Sequence, residues 1–570
     1  MVAAFAVSVS AVQAWLAVRA LGEAESLSRG LSDRIAQGDA AGARSQLDAF
    51  DRATTTARTN TDGPLWWLGS KVPYLGRNIA AVRTIAEASD DVSDRVLPGV
   101  VKVADQVQLE TFRPKNGRIN LEAVARLLPV LATADRALAE ADARVMAIDV
   151  DGLLPLLRAQ AGEAQARVHQ TASAVGAAHD AARLMPTMLA ERGPTRRYLL
   201  LIMNNAEVRS LSGMPGSVAV IAARRGKVDM GQQGGILDVP ALDDPPLSVR
   251  KEVAAGFPSS IGTDIRDVAT IPDFPRVARI AAEIVGERWD EDFDGVIAVD
   301  PVVMSYVLGG VGSVDVGDGM SLNQQNAVAT LLNGVYLKYP TEPERQDEVF
   351  ELAARRIFDA LVGGGGNSVR TIRGLVQGAQ ERRVFLWSRD AGEQRRIART
   401  GIAGAMSRDA KAPEVGFFVN DGGGSKMEFY LRMGSRLETR RCYAHGVQSL
   451  RLTSTLRSDA PQESVPLPIS VTGPASYLTP GDMLLQNVVL GPPGGRITAL
   501  WVDGKLAPVS PATYGGRQVA RFPRVLPPGA TSVVRVDIQT GRGSAAAATL
   551  RTTPGVQAND DSVGTRACVS

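Results

Sequence analysis

RRYLLLIMNNAEVRSLSGMPGSVAVI, residues 196–221, consists of two apolar runs that flank a polar stretch containing glycine and proline. A continuous apolar run bounded by such residues is typical of a strand buried on both faces. Residues 196–205 therefore predict one strand. SVAVIAARRGKV, residues 217–228, predicts a second strand that ends in a glycine-bearing turn. We expect these two strands to form a buried β-pair.

Downstream of this pair, helical and strand patterns alternate. An amphipathic helix is predicted around Phe274 to Glu287, followed by the apolar strand DGVIAVD at residues 294–300 and a helix that begins at Pro301. Strands that alternate with helices favour a sheet covered by helices on both faces. We therefore expect a central three-layer α/β sandwich over residues 194–407.

The flanking regions have different patterns. Residues 20–193 are rich in Ala, Leu, Arg, Asp and Glu at i, i+3, i+4 spacing, which predicts an antiparallel helical stalk. Residues 408–570 carry short alternating segments separated by Gly and Pro, which predict a β-sandwich. The predicted class is a multidomain α+β protein.

The first residues, MVAAFAVSVSAVQAWLAV, are almost wholly apolar. A stretch of this length is at the short limit for crossing about 30 Å of hydrocarbon. We expect residues 1–19 to form a membrane anchor helix, so that the protein is a single-pass cell-membrane protein with most of its chain extracytoplasmic. The alternative is a buried amphipathic first helix.

Composition limits the function classes. The chain has 63 Lys and Arg against 61 Asp and Glu, and a net charge of +2 is too small for a protein that mainly binds nucleic acid. The excess of Arg over Lys and the abundance of Ala indicate a GC-rich, actinobacterial genome. Cys442 and Cys568 predict a disulfide in an oxidising compartment, and two buried free thiols are the alternative.

An aromatic turn interrupts the helical region. Gly and Pro residues surround Trp66 and Trp67 in PLWWLGSKVPYLGRN, residues 64–78. Two adjacent tryptophans either lie at a lipid interface or fill the joint between two helices. Both interpretations remain open from the sequence.

Four polar residues are predicted to follow the first strand: Asn204, Asn205, Glu207 and Arg209. Ligands in α/β proteins bind beyond the carboxyl ends of strands, and amide, carboxylate and guanidinium groups bind sugar hydroxyls or phosphate. The alternative is a structural turn with an internal Glu–Arg pair.

TEPERQDEVF, residues 341–350, predicts a helix start with Thr341 as N-cap and Glu344 completing a capping box. Arg345 and Gln346 in its first turn suit an anion beside unpaired N–H groups. The neighbouring carboxylates neutralise that field and favour a solvated helix start. Alternatively, they hold a divalent cation such as Mg²⁺, which restores the anion site.

Two aspartates precede predicted helices. Asp273 caps its helix or projects into the same cleft, and Asp300, followed by Pro301, is expected to be an N-cap. The predicted central domain contains no histidine, which excludes Ser-His and Cys-His catalysis there.

Five segments resemble the actinobacterial domain of unknown function 4012 family along nearly the whole chain. They are residues 64–78, 196–221, 272–312, 322–361 and 420–431. This family has no established activity to carry over.

A fainter resemblance links the central region to the LytR-CpsA-Psr phosphotransferases. It rests on Asp294 to Val316, Leu322 to Ala327, and the Arg345-Gln346 pair that opens a helix. Those enzymes transfer undecaprenyl-pyrophosphate-linked glycopolymers to the cell wall. This chain departs from their pattern, because Asp238 lacks an accompanying arginine and Lys338 stands alone where an Arg-x-Arg is expected.

Two functions follow from these observations. One is a membrane-anchored envelope protein that handles an envelope glycan or lipid-linked glycan, as a phosphotransferase with Glu207, Arg209 and Arg345 in catalytic roles. The other is a non-enzymatic envelope scaffold or polysaccharide-binding protein with a degenerate site. The predicted ligand-binding residues are Asn204, Asn205, Asp238, Asp273, Lys338 and Gln346.

Overall fold

The computed structural model describes residues 2–37, 39–73, 75–106, 114–462, 467–474 and 477–568. The chain divides into two compact units. One contains Met1–Pro114 and Ile119–Arg192, and the other contains Lys115–Arg118 and Gly193–Ser570.

The first unit is helical. Its helices are α1 (Val2–Gln37), α2 (Ala40–Thr61), α3 (Pro64–Gly69), α4 (Gly76–Gln106), α5 (Leu121–Met146) and α6 (Pro155–Met188). Ala20, Ala57 and Ala86 pack together from α1, α2 and α4, and these small side chains let the helices approach closely. Within the described residues, no helix has the length and apolar character needed to span a bilayer, so the membrane anchor remains a prediction.

The second unit begins with a mixed five-stranded sheet of order β3-β2-β1-β4-β7. The strands of this region are β1 (Arg196–Arg209), β2 (Ser212–Arg224), β3 (Lys227–Gly235), β4 (Gly295–Val299), β5 (Val314–Asp315), β6 (Ser321–Leu322) and β7 (Phe385–Ser388). β1 is antiparallel to β2, which confirms the predicted β-pair, and parallel to β4.

Helices cover both faces of this sheet. They are α7 (Arg250–Ala254), α8 (Phe274–Trp289), α9 (Pro301–Val311), α10 (Ala327–Ala329), α11 (Val335–Lys338), α12 (Pro343–Val362), α13 (Ser368–Gln380) and α14 (Ala391–Ile397). On one face, Leu199 and Leu201 share a core with α8. On the other, Ile202 packs with residues of α9 and α12. The alternation of side chains along β1 divides these two cores.

The C-terminal part contains two sheets, of order β13-β12-β16-β10-β9-β18 and β14-β15-β11-β8-β17. Its elements are β8 (Glu414–Asp421), β9 (Leu431–Cys442), β10 (Gln448–Ser458), α15 (Ile469–Thr472), β11 (Met483–Leu490), β12 (Arg496–Val502), β13 (Lys505–Ala507), β14 (Thr513–Tyr514), β15 (Arg517–Leu526), β16 (Thr531–Gln539), β17 (Thr549–Thr552) and β18 (Ser562–Gly564). Phe417 and Leu485 of one sheet share a core with Leu450 and Val536 of the other.

The two parts of this unit are joined through packed side chains. Phe418 and Val488 of the C-terminal sheets belong to the same core as Leu199 and Phe274. The predicted disulfide is confirmed: Cys442 at the end of β9 bonds to Cys568, with the two Cα atoms 5.5 Å apart. The multidomain α+β class is confirmed, whereas the four predicted domain boundaries remain predictions.

One prediction about β1 is wrong. The strand does not end near Asn205 but continues to Arg209, so the four polar residues lie within it. The register between β1 and β2 shifts between Asn204 and Val208, where three residues of β1 have no partner. A bulge of this kind redirects side chains without ending the strand.

Candidate functional site

An apolar pocket of about 200 Å³ lies on the α9 and α12 side of the central sheet. It adjoins the carboxyl ends of the parallel strands β1 and β4, where α/β proteins bind ligands. The lining residues are Ile202, Met203, Asn204, Met214, Gly216, Ser217, Ile236, Leu237, Pro301, Met304, Leu331, Leu332, Tyr336, Pro343, Gln346, Asp347, Phe350, Ala353 and Lys426.

The polar groups of the pocket are held by local hydrogen bonds. Asn204 Nδ2 donates to the Tyr336 hydroxyl at 2.7 Å, and Gln346 Nε2 donates to the Tyr339 carbonyl at 2.6 Å. Lys426 Nζ lies 4.9 Å from the centre of the Tyr336 ring. The Tyr336 hydroxyl accepts from Asn204 and keeps its own O–H for donation to a ligand.

Asp347 brings a carboxylate to the pocket lining. Burial, followed by the negative charges of Glu351 and Asp238, raises the pKa of Asp347 from 3.8 to about 6. A Cβ atom on Gly235 would lie 2.5 Å from Asp347 Oδ2, so only glycine allows this approach. The carboxylate of Asp238 accepts a hydrogen bond of 2.9 Å from Gly235 N. Asp238 therefore does not line the pocket, but its negative charge helps to raise the pKa of Asp347.

Glu207 and Arg209 belong to a buried ion cluster at the end of β1. Arg209 Nη2 donates to Glu207 Oε1 at 3.2 Å, and Arg209 Nη1 lies 3.7 Å from Asp421 Oδ2. Burial opposes the positive charge, but the surrounding carboxylates outweigh it and raise the pKa of Arg209. Lys426 Nζ lies 3.4 Å from Glu207 Oε2 and connects this cluster to the pocket.

Glu428 lies close to the same cluster and is fully enclosed. Burial and then the charge of Asp421 raise the pKa of Glu428 well above its ordinary value. Neither side-chain oxygen has a hydrogen-bond partner within the described part of the chain. This burial therefore favours the neutral form of the Glu428 carboxyl group.

Asn205 points into a second buried network and not into the pocket. Its Nδ2 atom donates to Asp300 Oδ2 at 2.7 Å and to Ser212 Oγ at 2.8 Å. Asp300 also accepts from Arg383 and caps α9 through Val303 N. The predicted N-cap role of Asp300 is confirmed, and the contacts of Asn205 are structural.

Arg345 and Lys338 lie near each other but outside the pocket lining. Arg345 is exposed and pairs with Asp318 and Glu348, while Lys338 Nζ donates to the Asp318 carbonyl at 3.2 Å. The predicted capping box is wrong, because α12 begins at Pro343 with Glu342 at the N-cap position and no side-chain cap. Proline at the first helical position replaces the N–H that Thr341 was expected to cap.

Asp273 occupies the N-cap position of α8, but its carboxylate makes no capping hydrogen bond. Burial raises its pKa, although the charges of Arg408 and Arg551 act in the opposite direction. The surrounding groups belong to the joint between the central sheet and the sandwich. Asp273 does not line the pocket.

The predicted site is therefore divided among several places. Asn204 and Gln346 line the pocket, whereas the proposed catalytic trio is split between the buried ion cluster and the exposed start of α12. Sequence reasoning missed Tyr336 and Lys426, and treated Asp347 only as part of an acidic helix start. The i, i+4, i+7 spacing of Gln346, Phe350 and Ala353 was the signal that α12 presents one face to a pocket.

The pocket lining includes one carboxylate, Asp347, and the magnesium ion expected from the sequence remains a prediction. Within the described residues, no group of three or more His, Cys, Asp or Glu side chains is arranged to hold a metal ion.

Comparison with known proteins identifies one region of the chain. Residues 192–336 match the model of a family described as "Protein of unknown function (DUF4012)". Over these residues the chain is similar to that family. None of the curated proteins and none of the solved structures matches the chain.

The DUF4012 region supplies part of the pocket. It contains β1 to β4, α9 and Tyr336, whereas Asp347 and Lys426 lie beyond its last residue. The polar residues that line the pocket thus come from both inside and outside the DUF4012 region.

Proposed function

We propose that this protein binds a lipid-linked envelope glycan, with part of the isoprenoid chain in the apolar pocket and the phosphate near Lys426. The observation that carries this proposal is a mainly apolar pocket whose lining includes Lys426. Burial of apolar surface contributes about 25 cal/mol per Å², so a hydrocarbon chain gains affinity from such walls. A charge-assisted hydrogen bond from Lys426 suits a phosphate head.

Several groups support recognition of the head. The Tyr336 hydroxyl has an O–H left to donate, and Asn204 and Gln346 bring amides to the same lining. Amide and hydroxyl groups hydrogen-bond sugars and phosphates. A binding role needs only these contacts and no second cation.

A non-catalytic role agrees better with the arginines than a phosphotransferase role. Arg209 is surrounded by Glu207 and Asp421, and the exposed Arg345 pairs with Asp318. Neither guanidinium lines the pocket, whereas Lys426 does and also lies 3.4 Å from Glu207 Oε2. The resemblance to LytR-CpsA-Psr enzymes then concerns the arrangement of strands and helices, and the pyrophosphate clamp has been lost.

Asp347 favours a second candidate, glycopolymer transfer. A carboxylate with a pKa of about 6 is suited to act as a general base near neutral pH. In this reaction a sugar hydroxyl of the acceptor transfers its proton to Asp347, and its oxygen attacks the glycan-bearing phosphorus of the pyrophosphate. The bond from that phosphorus to the bridging oxygen breaks, and polyprenyl phosphate leaves.

The proposed location is the cell envelope, with the bulk of the chain outside the membrane. The Cys442–Cys568 disulfide supports an oxidising compartment. The apolar residues 1–19 support attachment to the membrane, as proposed from the sequence.

The first test measures binding of undecaprenyl phosphate to the full chain in detergent. Leu237 lines the pocket and is 64% exposed, so Leu237→Asp retains the fold while adding a negative charge at the pocket. We expect Leu237→Asp and Lys426→Gln each to weaken binding about tenfold or more. The control is Val376→Asp on α13, where an apolar residue that is 48% exposed lies outside the pocket lining.

Equal affinity of all four proteins, or no affinity in the wild type, would reject lipid binding and favour a scaffold. Transfer is tested separately with a polyprenyl-pyrophosphate-linked glycan and a wall polysaccharide. Under the second candidate, Asp347→Asn binds undecaprenyl phosphate normally but releases no polyprenyl phosphate. Binding without turnover in the wild type supports the binding role alone.

A further inference from the structure

The exposed apolar side chains of the helical unit are concentrated at one end. Those of the described residues are Val12, Trp15, Val18, Trp67, Leu68, Val72, Leu75, Met146, Leu154, Leu156 and Met185. All except Met185 belong to the N-terminal half of α1, to the segment around α3, or to the α5–α6 connection. Met185 lies near the far end of α6, about 45 Å away at 1.5 Å per residue.

Hydrogen bonds bring these segments together. Trp66 Nε1 donates to Gln13 Oε1 at 3.3 Å, which joins the α3 segment to α1. Asn78 Oδ1 accepts from Leu154 N at 2.8 Å, which joins the start of α4 to the start of α6. The apolar residues at this end form one surface, which we call the tryptophan end.

The two adjacent tryptophans have different surroundings. Trp66 is 5% exposed and fills the joint with α1, whereas Trp67 is 55% exposed. Trp66 therefore fits the interpretation that a tryptophan fills the joint between two helices, and the lipid-interface interpretation remains a prediction for Trp67. Exposure of a large indole beside Leu68, Val72 and Leu75 indicates a surface that is covered by a partner.

The charges at the tryptophan end identify the kind of partner. Lys71 Nζ lies 5.8 Å from the centre of the Trp67 ring, and the Arg19 guanidinium carbon lies 5.4 Å from that of Trp15. The sequence from residue 63 to residue 86 contains no Asp or Glu, whereas the α5–α6 connection at this end carries Asp149 and Asp151. Indoles next to cations are typical of side chains at the boundary between lipid headgroups and acyl chains.

We propose that the tryptophan end docks on the surface of a lipid bilayer that contains anionic headgroups. The sequence of α1 from this end toward Val2 is apolar, and residues 1–19 are the segment expected to enter the membrane. A short apolar helix and a second apolar contact with basic residues together give stable attachment, where one signal alone is marginal. This docking is independent of ligand binding in the other unit.

The test uses the full chain reconstituted into vesicles of phosphatidylcholine and phosphatidylglycerol whose acyl chains carry bromine. Bromine quenches tryptophans that contact the acyl region. We expect the quenched fraction of fluorescence to fall in Trp67→Phe and not in the matched control Trp289→Phe. Lys71→Ala should weaken association about fivefold in anionic vesicles, and not in pure phosphatidylcholine.

Equal quenched fractions in the wild type and Trp67→Phe would overturn the proposal, even if the chain stays attached to the vesicles. So would a dimer in sedimentation that Trp67→Ser converts to a monomer, because the surface would then be covered by a second copy. Because Trp67 is exposed, its substitution leaves the helical fold intact, and circular dichroism checks this.

Discussion

Arg383 Nη1 donates a hydrogen bond of 2.8 Å to Asp300 Oδ2, and both side chains are buried. The pair joins the start of α9 to the residues that precede β7. Asn205 and Ser212 also donate to the same carboxylate oxygen. One acidic residue thus organises the carboxyl ends of β1 and β4, next to the pocket.

Substitution of Asn205 should mainly affect stability, whereas substitution of Asn204 should mainly affect ligand binding. Asn205→Ala removes two buried hydrogen bonds and should lower the free energy of unfolding by about 1–3 kcal/mol. Asn204→Ala frees the Tyr336 hydroxyl and should mainly change the affinity for undecaprenyl phosphate. Urea unfolding and the binding assay, performed on both variants, check this. Loss of affinity in Asn205→Ala with normal stability would show that Asn205 is a ligand residue.

Asp347 should make the stability of the second unit depend on pH. Its folded pKa of about 6 exceeds the ordinary value of 3.8, so the folded chain holds a proton that the unfolded chain has released. The stabilising contribution of protonated Asp347 should therefore be present at pH 4 and be lost as the pH rises to about 6. The free energy of unfolding should fall by about 1–2 kcal/mol over this range for this half-buried group. Urea unfolding of Asp347→Asn across this range should show a weaker decrease. Parallel curves for variant and wild type would contradict the shift.

Glu428 should have an effect of the same sign. Burial raises its pKa well above 4.5, with Asp421, Glu207 and Arg209 as the charged groups around it. Stability should fall as the pH rises above 4.5, by up to about 1.4 kcal/mol per pH unit, until the folded pKa is reached. Glu428→Gln keeps the shape and has no proton to lose. The stability difference between variant and wild type should therefore grow with pH in thermal unfolding, and a constant difference would argue against a protonated Glu428.

The disulfide should stabilise the sandwich strongly. Cys442 and Cys568 are 126 residues apart, and a loop of this size corresponds to about 5 kcal/mol in the chain-entropy model. Reduction should lower the unfolding midpoint of the wild type in urea. The double variant Cys442→Ser, Cys568→Ser should unfold at that lower midpoint with or without reductant. Insensitivity of the wild type to reductant would show that the bond contributes little.

Local patterns explain which elements were predictable. Buried strands such as β4 have apolar runs, and amphipathic helices such as α8 have a 3.6-residue period, so both are visible in the sequence. The end of β1 was not visible in the sequence. A bulge keeps the polar residues within the strand, and this bulge depends on the pairing of β1 with β2. The start of α12 was misjudged because Pro343 and Thr341 offer competing helix signals.

The candidate site was only partly predictable. Asn204 and Gln346 were proposed because they follow a strand or open a helix, and these are local properties. Lys426 reaches the pocket from a segment after β8, far along the chain from Tyr336. Arg209 was expected at a ligand, but neighbouring carboxylates from distant segments neutralise it.

By itself, the amino-acid sequence determined the α+β class, the pairing of β1 with β2, the disulfide and the chemistry available near the strand ends. These follow from side-chain periodicity, polarity and the number of cysteines, which need no knowledge of distant contacts. Only the tertiary structure decided which polar groups share a pocket and which neutralise one another. Those outcomes depend on strand register and on packing between segments hundreds of residues apart, as in the contacts of Glu207 with Lys426.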